Sequence, residues 1–556
     1  MTPPQLSEKM RDGALWVYLQ NGGVTGLQFI SGIVLARILD PSDFGVFVAA
    51  TAFTALFSNQ VTFGIPSALV QAKAISDRQI HTAFWLMQGI AVVCTLLVIA
   101  LSLLLTDAYE DPRHAAVMQL MCIMFFFLPF VNITNTLLRR EMNFKAISKI
   151  RIQATLLTLP VGIVFALLDF GPYSLVISGI AAVTVTVLLL ARYKPWLPRF
   201  HVSAPGMGRL LGYAWRTNVN SSLDILGDRV DNMLVGSALG AHALGIYARA
   251  YSLARLPVEQ LAQSLEPLLL GGLARIQDDL HYTRSMYQKA TCALALGVFP
   301  FILLFILVAD SFIAVVYGEK WLTAALPLKI MAVGAFALLL SSTLRSLVAA
   351  QNLVGREMPL QLAKVAITVV ILIAAIPGGL TAVAIGISIR EFIFLALLKR
   401  MIGKAGLGLN VRAILYAAMP ATIACGAAGG LALLAHWLMT PAISPTSLLY
   451  LTCISTILFG AYAAYARVPR QEYYHGIKVY HPRYPLLPKI GMPLAPWLMA
   501  QAVKPTLQRL QRDSYDFNVI DAHYFYPDGV AAALLARTFQ KPLVITARPD
   551  HPLAQM

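Results

Sequence analysis

Asp224, Asp228 and Asp231 are spaced four and three residues apart. At about 100° per residue a helix puts all three carboxylates on one face. A protonatable stripe of this kind, facing a cavity inside an apolar segment, is what proton or sodium coupling requires. The same stripe would also serve as a structural ion-pair network between helices, or, at Asp224, as a helix end still in water. Asn220 and Asn232 lie at its edge, and Arg229 points about 100° away, toward a neighbouring helix. A second set is cationic: Arg37, Arg255, Arg345 and Arg390 lie in or at the end of apolar segments. Guanidinium groups there would bind a diphosphate, because bidentate Arg–phosphate hydrogen bonds offset the loss of water. Arg37 and Arg345 could instead snorkel to an interface. Arg255 stands one turn before Glu259 and is expected to pair with it. Glu266 and Glu391 are further neutralising candidates, and Arg249 reads as a rim residue.

The elements that must position these groups are membrane spans. Of 556 residues, 58% are hydrophobic and 13% charged, too few charges to coat a soluble globule of this size. Apolar stretches of roughly twenty residues recur, each long enough to cross about 30 Å of hydrocarbon as a helix. About fourteen are expected, centred near Ile30, Phe53, Val93, Phe126, Leu159, Val183, Ile225, Leu256, Phe301, Ala335, Val370, Ile387, Ala424 and Ile457. The expected fold is therefore an all-α polytopic membrane protein. Basic residues crowd the loops after even-numbered spans: Arg139, Arg140, Lys145, Lys149 and Arg151, then Arg192, Lys194, Arg199 and Arg209, then Lys399, Arg400, Lys404 and Arg412. Acidic Asp107, Glu110 and Asp111 mark the loop after the third. The positive-inside bias puts both termini in the cytoplasm. It also accounts for most of the net charge of +16 without a nucleic-acid partner. Five cysteines, Cys94, Cys122, Cys292, Cys425 and Cys453, all fall within apolar segments and read as small buried hydrophobes without disulfides. The 10 His show no metal-ligand spacing, and neither cofactor nor enzymatic activity is expected.

Residues 37–47 lie over residues 237–247 at a constant offset of 200, with Asp40 on Gly240, Phe44 on Leu244, Gly45 on Gly245 and Phe47 on Tyr247. A glycine-bearing turn is thus expected between spans one and two and again between spans seven and eight. Residues 76–82 correspond likewise to 278–284. Six spans between copies give parallel repeats, with sites expected between the halves near the midplane. The division expected is residues 1–205 and 206–405 as two six-helix lobes, 406–470 as two extra helices, and 471–556 as a tail. Gly22, Gly23, Gly26 and Gly32 give the first span a closely packable face.

The combination of Ala36–Gly45, Gly64–Gln71, Ala83–Leu86, Leu137–Lys145 and Val230–Tyr251 resembles the bacterial polysaccharide flippases of the multidrug/oligosaccharidyl-lipid/polysaccharide superfamily. The resemblance covers about residues 8–470. It implies a two-lobed bundle that carries undecaprenyl-diphosphate-linked oligosaccharide between leaflets of the inner membrane by alternating access. It also implies a cation-lined cavity, an ion gradient as the driving force, and partnership with membrane lipids and with the polymerase and glycosyltransferases of one pathway. Arg37 and Asp231 fall within its motifs. Two other readings stand beside it: a drug or cation antiporter of the same superfamily, disfavoured because the first six spans lack central carboxylates, and a membrane-anchored glycosyltransferase.

After Arg470 the composition changes. Residues 481–491 are proline-rich, and 516–537 followed by 541–548 read as strand, loop, amphipathic helix and strand, a parallel α/β unit. This piece resembles part of the N-terminal domain of family-four glycosyltransferases, where a histidine placed like His523 lines the cleft. Without a preceding glycine-rich turn or a second domain it is expected to be an incomplete fragment with no transferase activity.

Overall fold

The computed structural model describes residues 3–72, 74–105, 109, 111–200, 207–275, 280–350, 357–404, 419, 471–474, 477–480, 495–512, 517–522 and 529–545. It divides into two compact units, residues 1–454 and 455–556.

The first unit is helical throughout its described residues. In chain order it comprises α1 (Pro3–Ile38), α2 (Pro41–Thr62), α3 (Ile65–Gln71), α4 (Asp77–Leu104), α5 (Arg113–Met121), α6 (Ile123–Arg140), α7 (Phe144–Leu167), α8 (Pro172–Tyr193), α9 (Met207–Arg275), α10 (Leu280–Val316), α11 (Ala325–Ala350), α12 (Glu357–Ala375) and α13 (Gly379–Lys404). A 3₁₀ turn, Glu319–Ala324, precedes α11. Helix starts follow local chemistry. Pro41, Pro172 and Ile65-Pro66 sit in first turns, where a missing N–H costs nothing. Ser76 accepts from Gln79 N while Gln79 Oε1 accepts from Ser76 N, at 3.3 and 2.9 Å, a reciprocal N-cap.

Eight stretches of the described residues are long and apolar enough to cross a membrane. Helix α1, which carries Gln20, Asn21 and Gln28 among its apolar residues, is not one of the eight. Helix α9, at 69 residues, would be roughly 100 Å long if straight, several times a hydrocarbon core. It is broken at Gly240, where φ is 81° and ψ 173°, a conformation that favours glycine, so α9 is two arms. The stretch Pro359–Gly403 likewise holds both α12 and α13. The first twelve expected span centres each fall in a helix of this series; the centres near Ala424 and Ile457 lie outside the described residues. The chain is a multi-pass membrane protein whose first unit is all-α in its described residues.

Burial separates central from lipid-facing helices. The apolar window of Glu319–Val348 is 61% buried and that of α8 only 17%. Leu96, Leu103, Leu188 and Val370 project outward, as expected where the solvent is hydrocarbon. The largest core joins α9, α10, α11 and α13 through residues such as Tyr247, Phe299, Leu328 and Ile387, and it includes Ala36 and Ala49 from α1 and α2. A second core packs α2 on α4, α5, α6 and α8 around Met118, Phe125 and Val176.

Helix α2 runs along α9. At one end a Cβ added to Gly45 would stand 1.7 Å from Ala241 O, and one added to Gly245 would stand 1.8 Å from Pro41 O. Each glycine therefore meets the residue four positions before the other glycine, Pro41 or Ala241, themselves matched at the offset of 200 found in the sequence. Such reciprocity is the contact pattern of two like copies related by a two-fold axis. At the other end Asn59 Nδ2 donates to Asn218 Oδ1 at 3.0 Å and Ser222 Oγ at 2.9 Å. There Asn218 Nδ2 donates to Gln60 Oε1 at 2.7 Å, and Gly64, at φ 67°, abuts the Ala214 carbonyl.

The second unit holds an antiparallel hairpin, β1 (Gln471–Tyr474) with β2 (Ile477–Tyr480), which the sequence reading did not anticipate. It then forms α14 (Ala495–Arg512), β3 (Ile520–Ala522), α15 (Val530–Phe539) and β4 (Leu543–Ile545). Strand β3 pairs parallel with β4, Ile520 opposite Leu543, the expected strand–helix–strand order. Ala500 of α14 packs on Ala531 and Leu535 of α15. His523 and residues 481–491 lie outside the described residues.

Candidate functional site

A cavity of about 710 Å³ opens among α1, α6, α7 and α8. Small residues create it: Gly32 on α1, Ala154 on α7, and Gly179 and Ala182 on α8 all line its wall. Its polar lining includes Gln28, Asn135, Thr158 and Ser178, and its charged lining is Arg139, Arg151 and Arg249. Among the described residues no carboxylate lines it. Arg139 and Arg151 are exposed at its mouth, while Arg249 is partly buried.

Arg249 reaches the cavity from the second arm of α9. Its guanidinium carbon lies 4.6 Å from the ring centre of Phe44, 5.1 Å from Tyr317 and 5.5 Å from Trp321, a three-sided aromatic cage for a cation. Phe44 meets Trp321 edge to face at 5.4 Å. Among the described residues no carboxylate forms an ion pair with Arg249. Sequence reading placed it at the rim, and assigned Arg139 and Arg151 to a topology-setting loop. The signal for Arg249 was weak, since its three rings come from segments about 200 and 70 residues away.

The other arginines have different partners. Arg37 is exposed and caps another helix: its Nε donates to Val316 O at 3.0 Å and its Nη2 to Val315 O. In return Lys320 Nζ donates to Ile38 O at 3.2 Å and to Asp40 Oδ1 at 3.3 Å, and Trp321 Nε1 donates to Ala36 O at 2.8 Å. The C-terminal carbonyls of α1 and α10, which have no partner within their own helices, are thus capped each by the other's neighbourhood. Arg345 is partly buried on α11, near enough to Asp224 for their charges to attract.

Arg255 and Arg390 belong to a buried ionic cluster. Arg255 pairs with Glu259 at 2.7 Å, as its spacing predicted, and reaches Glu391 at 3.6 Å. Arg390, 1% exposed, bonds Glu391 Oε1 at 2.5 Å. Nearby, Lys364 pairs with Asp228 at 3.5 Å. The carboxylate stripe is divided: Asp224 and Asp228 are exposed, whereas Asp231 is fully buried. Asp231 accepts from Tyr247 Oη at 2.7 Å and from Asn232 N at 2.8 Å. Glu266 lies among residues whose side chains are not described.

Residues 34–326, just over half of the chain, match the family described as polysaccharide biosynthesis protein. The chain belongs to that family. This agrees with the motifs at residues 36–45 and 230–251, both of which fall within the match. The chain is 27% identical over 389 residues to the lipopolysaccharide biosynthesis protein WzxC of Escherichia coli (strain K12), covering 69% of this chain and 78% of that protein. It is 24% identical over 332 residues to the teichuronic acid biosynthesis protein TuaB of Bacillus subtilis (strain 168), covering 59% and 69%. Its fold is that of the lipid II flippase MurJ in an inward closed conformation: the TM-score is 0.63 at 13% identity, covering 83% of this chain and 98% of that one.

Proposed function

We propose that this polysaccharide biosynthesis family member translocates an oligosaccharide linked to a lipid diphosphate, of the undecaprenyl class, across the cytoplasmic membrane. The cavity would face each side in turn, supplying surface or extracellular polysaccharide assembly. The observation that carries this reading is the charge of the cavity: among the described residues, three arginines, hydroxyls and amides line it, and no carboxylate does. A diphosphate leaving water needs charge-assisted, bidentate donors, whereas a cationic drug would need carboxylates. The naming of relatives for lipopolysaccharide and teichuronic acid biosynthesis supports the same substrate class. On this reading residues 1–205 and 206–405 are the two moving lobes, residues 406–470 add two spans, and the basic loops keep both termini cytoplasmic. Arg345 would contact substrate where the two lobes part, and Asp231, held by Tyr247, would carry the coupling ion, with Asp224 and Asp228 on its approach. Polymerase and glycosyltransferases of the same pathway are the expected partners.

Deleting the gene and extracting lipids tests the reading. Lipid-linked oligosaccharide should accumulate, and a wild-type copy should clear it while a copy carrying Arg139→Gln, Arg151→Gln and Arg249→Gln together should not. An unchanged lipid-linked pool with full surface polysaccharide in the deletion strain would reject it.

A further inference from the structure

The end of the unit where α1, α2, α10 and the second arm of α9 meet is closed by two reciprocal helix caps and by the contacts of Trp321 and Arg249. Arg37 caps α10 and Lys320 caps α1, each placing a cation on the negative end of the other's helix dipole. Trp321 contributes twice: its indole N–H holds Ala36 O, and its ring forms one wall around Arg249. Phe44, from α2, forms a second wall, and Tyr317, from the end of α10, a third. The cage around Arg249 is therefore built by both proposed lobes, and it stands only while they touch. Arg249 and Phe44 also line the cavity. Its Nη1 reaches α1 at Gly32, 3.5 Å from where a Cβ there would sit. One guanidinium thus belongs to the closure and to the binding space at once.

We propose that Arg249 is the residue through which an anion in the cavity releases the closure between lobes, a role that rests on the anionic-substrate reading above. A ring face attracts a guanidinium by roughly 0.5–2 kcal/mol, while a phosphate in the same dry surroundings offers charge-assisted hydrogen bonds that are stronger. A diphosphate entering the cavity outcompetes the rings. As the guanidinium turns toward it, the Phe44–Trp321 contact loses its central cation, the Trp321–Ala36 hydrogen bond weakens, and the two reciprocal caps are left as the remaining ties. Substrate binding and opening are then linked by differential affinity of one side chain for two states. A lipid lacking the diphosphate makes no such contact and leaves the closure intact.

The test uses the full chain with its five native cysteines changed to alanine and Ala36→Cys introduced, reconstituted in liposomes. Ala36 is fully buried beneath Trp321, so maleimide labelling of that thiol reports opening. Undecaprenyl diphosphate should raise the labelling rate about tenfold, the change that roughly 1.4 kcal/mol of lost closure gives, and undecaprenol should not. In Arg249→Gln labelling should be faster at rest and should no longer respond, while Arg249→Lys should keep a reduced response. Phe44→Leu should raise resting labelling and retain the response, since the sensor remains. Retention of radiolabelled undecaprenyl diphosphate is measured on the same liposomes. Binding without a labelling response in the unsubstituted Arg249 protein, or an undiminished response in Arg249→Gln, overturns the proposal while leaving the substrate reading in place. Absence of binding overturns both.

Discussion

Arg113 holds two carboxylates at the edge of the first unit, donating to Asp111 Oδ2 at 2.7 Å and to Asp43 Oδ1 at 2.6 Å. These hydrogen bonds keep the Asp111 carboxyl below the usual carboxylate range. A lowered folded-state value means the contribution is complete above the unfolded value of about 3.9 and is lost as pH falls through the lower folded value. Asp111→Asn should therefore lower the melting temperature of the purified protein at neutral pH. The difference from wild type should stay constant down to about pH 4 and close only below it. Because the pair is partly exposed, the effect should stay within about 1 kcal/mol. A difference that vanished already near pH 6 would contradict the assignment. Arg113, Arg255 and Arg390 all have carboxylate partners, whereas Arg249 has aromatic rings. That sorting was only partly legible in the sequence. The Arg255–Glu259 pair follows from helical spacing, but the Arg390–Glu391 pair joins adjacent residues, which no periodicity argument brings together.

At the scale of elements, the seam between α2 and α9 depends on the absence of side chains. Gly45 and Gly245 bring backbone against backbone, so a single methyl group at Gly45 forces the helices apart. Gly45→Ala should destabilise the purified protein by about 1–3 kcal/mol, the usual scale of overpacking. Gly245→Ala should do the same. The double variant should cost less than the sum, with a coupling of at least about 0.5 kcal/mol, because helices already separated by one methyl group accommodate the second. Thermal unfolding of the four proteins gives the cycle, and strict additivity would show that the two positions do not share one contact. This seam was foreshadowed by the sequence, since the offset of 200 aligns both glycines. The polar group of Asn59, Gln60, Asn218 and Ser222 at its far end was not, because its members have no common spacing to announce them.

For the whole molecule, hydrophobic run length was the strongest signal. The first twelve span centres fall in helices, and Gly240 breaks α9 where a turn was expected. Run length says nothing about which helices part to leave a cavity. The arginines at its mouth therefore read as loop charge, and the reciprocal caps of α1 and α10, some 280 residues apart, left no trace. In the second unit the parallel strands were legible from order alone, while the short hairpin of Gln471–Tyr474 and Ile477–Tyr480 carries too little apolar alternation to stand out. Since α1–α13, the cavity and the ionic cluster all precede residue 471, a chain ending after Arg470 should restore surface polysaccharide to the deletion strain at wild-type levels. Loss of complementation at normal membrane abundance would assign residues 471–556 a necessary part in transport. The glycine crossing has one more consequence. A contact made of backbone alone has no rotamers to rearrange, so two helices can turn on it without any side chain being unlocked. On the two-lobe reading the crossing would act as a bearing, with the hydrogen bonds and rings beside it setting the friction.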